Sequence, residues 1–137
     1  MINAEIPVYG EIKKGPCADE NTVCQTIVNQ NKKRNPDVMM LHIKNEGQRT
    51  KAQMDFANSM GFIKGASDYL LVGNPMGFME VKRDNYSHKL TKDQELFLLN
   101  AKARGAFVGV VIGWKGGMEF IEAWKKAQIT LANNKDE

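Results

Sequence analysis

The sequence predicts an α/β domain in which α-helices flank a mixed central β-sheet. Three observations lead there. Phe107-Val108-Gly109-Val110-Val111-Ile112 is apolar on both faces, as a buried central strand is. A helical segment ending at Gly105 separates it from an earlier strand over about 77–82. Strand, crossover helix and strand in that order imply a parallel pair. A third strand signal, about 67–72, is joined to 77–82 by the turn chemistry of Gly73-Asn74-Pro75.

The elements follow in chain order. The length of 137 residues predicts one domain over 1–137. Residues 1–16 read as an irregular arm, punctuated by Pro7, Gly10, Gly15 and Pro16. Asp19 caps a helix over about 20–33, whose apolar stripe is Val23, Cys24, Ile27 and Val28. Asn35-Pro36 ends it. Val38 to Ile43 is a short apolar run, read as a strand. Thr50 and Gln53 form a capping box for a second helix, which Gly61 stops. Thr91 and Gln94 repeat that box before the third helix. A last helix over about 117–131 turns Phe120, Ile121, Trp124 and Ala127 inward, and 132–137 is a polar tail. The order is α, β, α, β, β, α, β, α.

Composition sets outer bounds. Hydrophobic residues at 42% and charged residues at 26% exclude wholesale disorder. No run approaches the roughly 20 apolar residues of a membrane helix, and the N-terminus has no charged segment followed by an apolar one. Nineteen Lys and Arg against 16 Asp and Glu leave a formal charge of +3. That permits a polyanionic partner without dictating one. Cys17 and Cys24 on one helix would be separated by a rise of roughly 10 Å, beyond disulfide reach of about 7 Å; the argument weakens if Cys17 precedes the helix. Neither has a local His for a zinc site. A reducing cytoplasm is the simplest expectation. His42 and His88 lack partners at metal or triad spacing, and read as structural or surface residues.

The stretch that carries chemistry is Asp68 with Glu80-Val81-Lys82. Strand residues alternate faces, so Glu80 and Lys82 project to one side and Met79 and Val81 to the other. A carboxylate and an ammonium among apolar neighbours are costly unless they pair or bind something. In a hairpin, Asp68 lies near the end from which Glu80 and Lys82 emerge. Two carboxylates so close repel, and one protonates unless a cation lies between them. Mg²⁺ suits such a site, because it takes one or two carboxylates and keeps waters for phosphate chemistry. Glu20, three and four residues before Val23 and Cys24, is expected on the buried face of its helix, within reach of the site.

This ordered set resembles the PD-(D/E)XK nuclease superfamily, and more narrowly the small phage and bacterial VRR-NUC proteins related to the nuclease domain of the Fanconi-associated nuclease. The matching segments are Asn45-Glu46-Gly47-Gln48-Arg49, Met60-Gly61 and Gly65 to Leu70, then Phe78 to Arg83, Leu90 to Gln94, and Gly105 before the apolar strand. They span about residues 18–125. Ser67 stands where the family often has Pro, and Gln25 lies one place later than its first-helix pattern.

The resemblance implies a restriction-endonuclease-like core and a Mg²⁺- or Mn²⁺-dependent endonuclease acting on DNA, with branched DNA or Holliday junctions as the substrate class. It implies Asp68, Glu80 and the main-chain carbonyl of Val81 as metal ligands. Lys82 would be the catalytic lysine and Glu20 the first-helix acid, a further catalytic residue and metal ligand; Asn45, Arg49, Lys51, Arg83, Lys92 and Gln94, the last a glutamine beside the site, are expected to contact DNA. A homodimer is expected, since cutting two strands needs two sites. No membrane and no organic cofactor are expected.

Plainer readings stand beside these. Asp68 alone is an ordinary strand-start acid, and Glu80 with Lys82 would suit the solvated face of an edge strand. Glu20 favours the helix dipole wherever it points, and capping alone accounts for Gln94. Asn45, Glu46 and Arg49 form either a polar turn or, through Arg49, a phosphate contact. Lys44, Arg49, Lys51, Lys82, Arg83, Lys89 and Lys92 recur around the motif, as a solvated surface or a rim that tracks phosphates.

Overall fold

The structure is a computed structural model that describes residues 2–43, 50–86 and 90–129. Its elements are β1 (Val8–Tyr9), α1 (Glu20–Arg34), β2 (Met40–His42), α2 (Lys51–Ser59), β3 (Tyr69–Leu71), β4 (Gly77–Lys82), α3 (Lys92–Ala103), β5 (Phe107–Ile112) and α4 (Gly113–Lys126). The five strands form one sheet in the order β1-β5-β4-β3-β2. β4 and β5 are parallel, from Gly77 opposite Phe107 to Lys82 opposite Ile112. β3 runs antiparallel to β4 and to β2. The sheet is therefore mixed, with the parallel pair made by the α3 crossover.

Local signals set most element boundaries. Asp19 accepts from the Thr22 N–H at 2.8 Å and caps α1. Both capping boxes form, Thr50 with Gln53 and Thr91 with Gln94. Gly61 and Gly105 take left-handed backbone just past α2 and α3, at φ 96° and 95°.

Two apolar clusters cover opposite faces of the sheet. Val23 and Ile27 of α1 and Met118, Phe120, Ile121 and Trp124 of α4 pack on Leu71, Met79 and Val81. On the other face Leu90 and Leu98 meet Val108, Val110 and Ile112. Strand alternation appears here as chemistry: Met79 and Val81 are fully buried in the first cluster, while Phe78 packs edge-on against Phe97 of α3 in the second. α2 buries no residue, and its Phe56 and the following Met60 are exposed. Among the described residues, no helix is long and apolar enough to cross a membrane.

Two sequence expectations change. The arm over 1–16 is not wholly irregular, because Val8–Tyr9 adds a parallel strand to the edge of β5. Two residues are too few for a periodic signal; the pairing comes from the unpaired edge that β5 offers. The last helix starts at Gly113, four residues before the expected start, and its core face adds Met118 to the predicted Phe120, Ile121 and Trp124. Ala127 is its C-cap. The glycines Gly113, Gly116 and Gly117 look like helix breakers in sequence. Here they allow close packing: a Cβ on Gly116 would lie 2.5 Å from the Tyr9 carbonyl oxygen, and one on Gly117 2.5 Å from Ile27 Cδ1. Gly116→Ala is accordingly expected to destabilise the protein by about 1–3 kcal/mol despite alanine's better helix propensity. A urea titration checks the sign: a gain in stability would mean that the arm does not hold that contact.

Candidate active site

β4 is longer than the strand beside it. The β3 pairing ends at Tyr69 opposite Met79, so Glu80, Val81 and Lys82 continue past it along an edge with no strand partner. Asp68, the residue just before β3, closes this gap. Its Oδ2 accepts the Val81 N–H at 2.7 Å, which extends the ladder with a carboxylate. The N–H and C=O of one strand residue point to the same edge. The Val81 carbonyl is thereby directed to the edge where Asp68 sits.

A cleft of about 510 Å³ opens at this edge, lined by Glu20, Asn21, Cys24, Gln25, His42, Asp68, Tyr69, Glu80 and Gln94. Both helical layers contribute, α1 through Glu20 and α3 through Gln94. A larger groove of about 850 Å³ lies along α3 and the β3–β4 turn. Its one carboxylate, Asp93, faces Lys64 at 3.6 Å, so the acidic chemistry belongs to the smaller cleft.

Glu80 is the unusual group. It is 4% exposed, and its Oε2 is buried without a hydrogen-bond partner. Burial first, then the charge of Asp68 and a carboxyl–carboxyl hydrogen bond with it, push the Glu80 carboxyl up to about 9; Lys82 pulls the other way and Glu20 adds to the rise. A cation between the two carboxyls would offset their repulsion and draw the Glu80 carboxyl back down.

Lys82 is half-buried and held from two sides. Its Nζ lies 3.5 Å from Gln94 Oε1 and 5.1 Å from the centre of the Tyr86 ring. Gln94 Oε1 also accepts the Thr91 N–H at 3.1 Å, so the atom that caps α3 also faces the lysine. Capping and a place at the site are compatible roles for Gln94.

Glu20 departs from expectation. It is exposed at the mouth of the cleft, not buried on the α1 face, because as first residue of the helix it lies beyond the turn that Val23 anchors. It still lines the cleft. Partial desolvation raises its carboxyl pKa, Lys82 lowers it, Asp68 raises it and Arg83 lowers it, in that order of size. Lys51, Arg83 and Lys92 are exposed, and none lines the cleft. Asn45 and Arg49 lie outside the described residues, as do Lys44, Glu46, His88, Lys89 and the tail.

Two cleft residues escape a motif reading. His42 stands opposite Tyr69 in the β2–β3 register, with ring centres 5.1 Å apart. Cys24, from α1, is pushed up to about 11 by burial and then by Asp68, with Tyr69 hydrogen-bonded to it. Cys17 and Cys24 are both free thiols. The only sequence signal for Cys24 and His42 is position, one helical turn after Glu20 and opposite the residue that follows Asp68.

The oxygen donors suit a hard divalent cation. Asp68, Glu80 and the Val81 carbonyl are the ligand types Mg²⁺ takes, and the unpartnered Glu80 Oε2 leaves a coordination valence open. As placed, no three His, Cys, Asp or Glu side chains among the described residues form a ready metal cluster. Two carboxylates with water are within what Mg²⁺ accepts.

Comparison with known proteins reaches the fold. A solved structure described as a VRR_NUC domain protein superposes with a TM-score of 0.61 at 18% identity, covering 81% of this chain and 91% of that one. The chain has the VRR_NUC fold. No family model and no curated protein matches it. Within the VRR_NUC fold, the mixed five-stranded sheet carries the Asp68 and Glu80-Val81-Lys82 cleft on the unpaired end of β4.

Proposed function

We propose that the protein is a metal-dependent endonuclease that hydrolyses DNA phosphodiesters, with branched DNA such as Holliday junctions as its preferred substrate class. One observation carries this reading. A buried Glu80 with an unpartnered Oε2 sits beside Asp68 on an open strand edge, with Lys82, set between Gln94 and Tyr86, two residues on. The VRR_NUC likeness supports it at the level of fold.

Asp68, Glu80 and the Val81 carbonyl would hold Mg²⁺ or Mn²⁺, with Glu20 at the mouth as an outer acid. The ion, when bound, supplies charge neutralisation at a phosphate oxygen and acidifies an attacking water. The protein's own groups do the rest. Asp68 is oriented by the Val81 N–H, which keeps one of its oxygens on the strand edge. Glu80, whose carboxyl burial and Asp68 hold raised, would ionise more readily once a bound cation offsets the second charge. Lys82, anchored by Gln94 and Tyr86, directs a positive Nζ at the charge that develops on the reacting phosphate. Arg83, Lys51, Lys92, Asn45 and Arg49 are assigned to the DNA backbone. Paired cuts require two active sites, so a homodimer is the assembly proposed.

The test compares the native chain with Asp68→Asn and Lys82→Ala on duplex, flap, single-stranded and four-way-junction DNA, with Mg²⁺ or Mn²⁺. Cleavage by the native chain alone is expected, strongest on the branched substrates. Equal cleavage by all three would end the assignment at these residues. A second reading, a DNA-binding protein without catalysis on the same fold, is favoured by the lack of a ready three-ligand cluster among the described residues. Salt-sensitive binding without cleavage by the native chain would select it.

A further inference from the structure

We propose that the N-terminal arm is a DNA contact in its own right: Lys13 and Lys14 hold the phosphate backbone of a duplex beside the cleft. The inference rests on the DNA reading above and adds a surface to it.

The arm is fastened at the end of the sheet where Lys82 emerges. Tyr9 stacks edge-on against Phe120, with ring centres 5.4 Å apart. The Lys13 N–H donates to the Asp84 carbonyl at 2.7 Å. Asn85 Nδ2 donates to the Gly15 carbonyl at 2.9 Å. Residues 13–15 thus lie against residues 84 and 85, directly after Lys82-Arg83.

These anchors use the backbone of Lys13 and Gly15 and leave the lysine side chains unspent. Lys13, Lys14 and Arg83 are exposed, and none has an ion-pair partner among the described residues. Of the nearby acids, Asp84 turns its carboxylate to Gly113 at the first turn of α4, where the helix dipole receives it. Glu20 at the cleft mouth lies close enough to Arg83 to feel its charge, and no ion pair ties Lys13 or Lys14 to an acid among the described residues. An ordered, non-helical segment with two adjacent lysines beside a phosphodiester cleft suits a phosphate backbone. A lipid surface would call for an amphipathic helix or a larger cluster of basic residues, and this arm presents neither.

The test is the full chain carrying Lys13→Ala and Lys14→Ala together, which leaves both backbone anchors in place. Binding of a labelled duplex is followed by fluorescence anisotropy, with Ca²⁺ replacing Mg²⁺. Affinity is expected to fall about tenfold at low salt, and the salt dependence to become shallower by about 2 in log–log slope. Thermal stability should not move. Unchanged affinity and slope, in a chain whose native form binds and cleaves DNA, would overturn the arm's role and leave the nuclease reading intact. A loss confined to phosphatidylserine vesicles, with DNA binding unchanged, would overturn it too. No DNA binding by the native chain would overturn both.

Discussion

Glu80→Gln is expected to stabilise the ion-free protein at neutral pH by about 1–3 kcal/mol and to abolish cleavage, by roughly a thousandfold or more. The two effects have one cause. In the native chain the Glu80 carboxyl is raised from 4.5 to about 9 by burial and by Asp68. An acid whose folded pKa is raised holds its proton more tightly in the folded state. Its full contribution is present below pH 4.5 and is lost progressively as pH climbs towards 9. At pH 7 the unfolded chain has ionised and the folded one has not, a penalty of roughly 3 kcal/mol at most. Glutamine has no such equilibrium, and its amide offers Asp68 a donor at every pH.

Urea titrations of the ion-free protein at several pH values check this directly. The native chain should lose stability from pH 5 to 9, and Glu80→Gln should be flatter across the same range. Mg²⁺ should stabilise the native chain more as pH rises, since its binding displaces the proton. A Glu80→Gln protein less stable than native at pH 7 would show that the carboxylate is compensated without any ion, and would remove the physical ground for the metal assignment.

Lys82→Ala is expected to lower cleavage by about 10²–10⁴-fold while weakening DNA binding only severalfold. The asymmetry follows from placement. Lys82 is half-buried against Tyr86 and Gln94, so it adds little to a diffuse phosphate-tracking surface. Its charge acts on what enters the cleft. Lys82→Arg should recover less than a tenth of the activity, because a planar guanidinium does not occupy the place of a compact ammonium above a ring. Single-turnover cleavage alongside anisotropy separates the two quantities. Parallel losses of binding and cleavage would return Lys82 to the role of an ordinary surface cation.

Much of this molecule is written in short-range chemistry. Asp19, Thr50 and Thr91 cap their helices within three residues of themselves, and Gly61 and Gly105 stop them, so α1, α2 and α3 are legible without any tertiary contact. The apolar run Phe107–Ile112 and the two-residue period of Glu80 and Lys82 declare β5 and the polar face of β4 in the same way.

What the chain alone does not declare depends on partners far away in sequence. β1 exists because β5 presents an open edge about a hundred residues later. The first turn of α4 packs through Gly116 and Gly117 because missing side chains there let Tyr9 and Ile27 approach. The sequence alone determined that an acid, an acid and a lysine would share one end of a mixed sheet. Tertiary structure decided their states: Asp68 tied to the Val81 N–H, Glu80 buried beside it with an unpartnered oxygen, Lys82 clasped by Gln94 and Tyr86, and Glu20 left at the mouth. The reason is physical. Periodicity and capping are settled within one turn of chain, whereas desolvation and charge pairing depend on which distant groups close the space around a side chain.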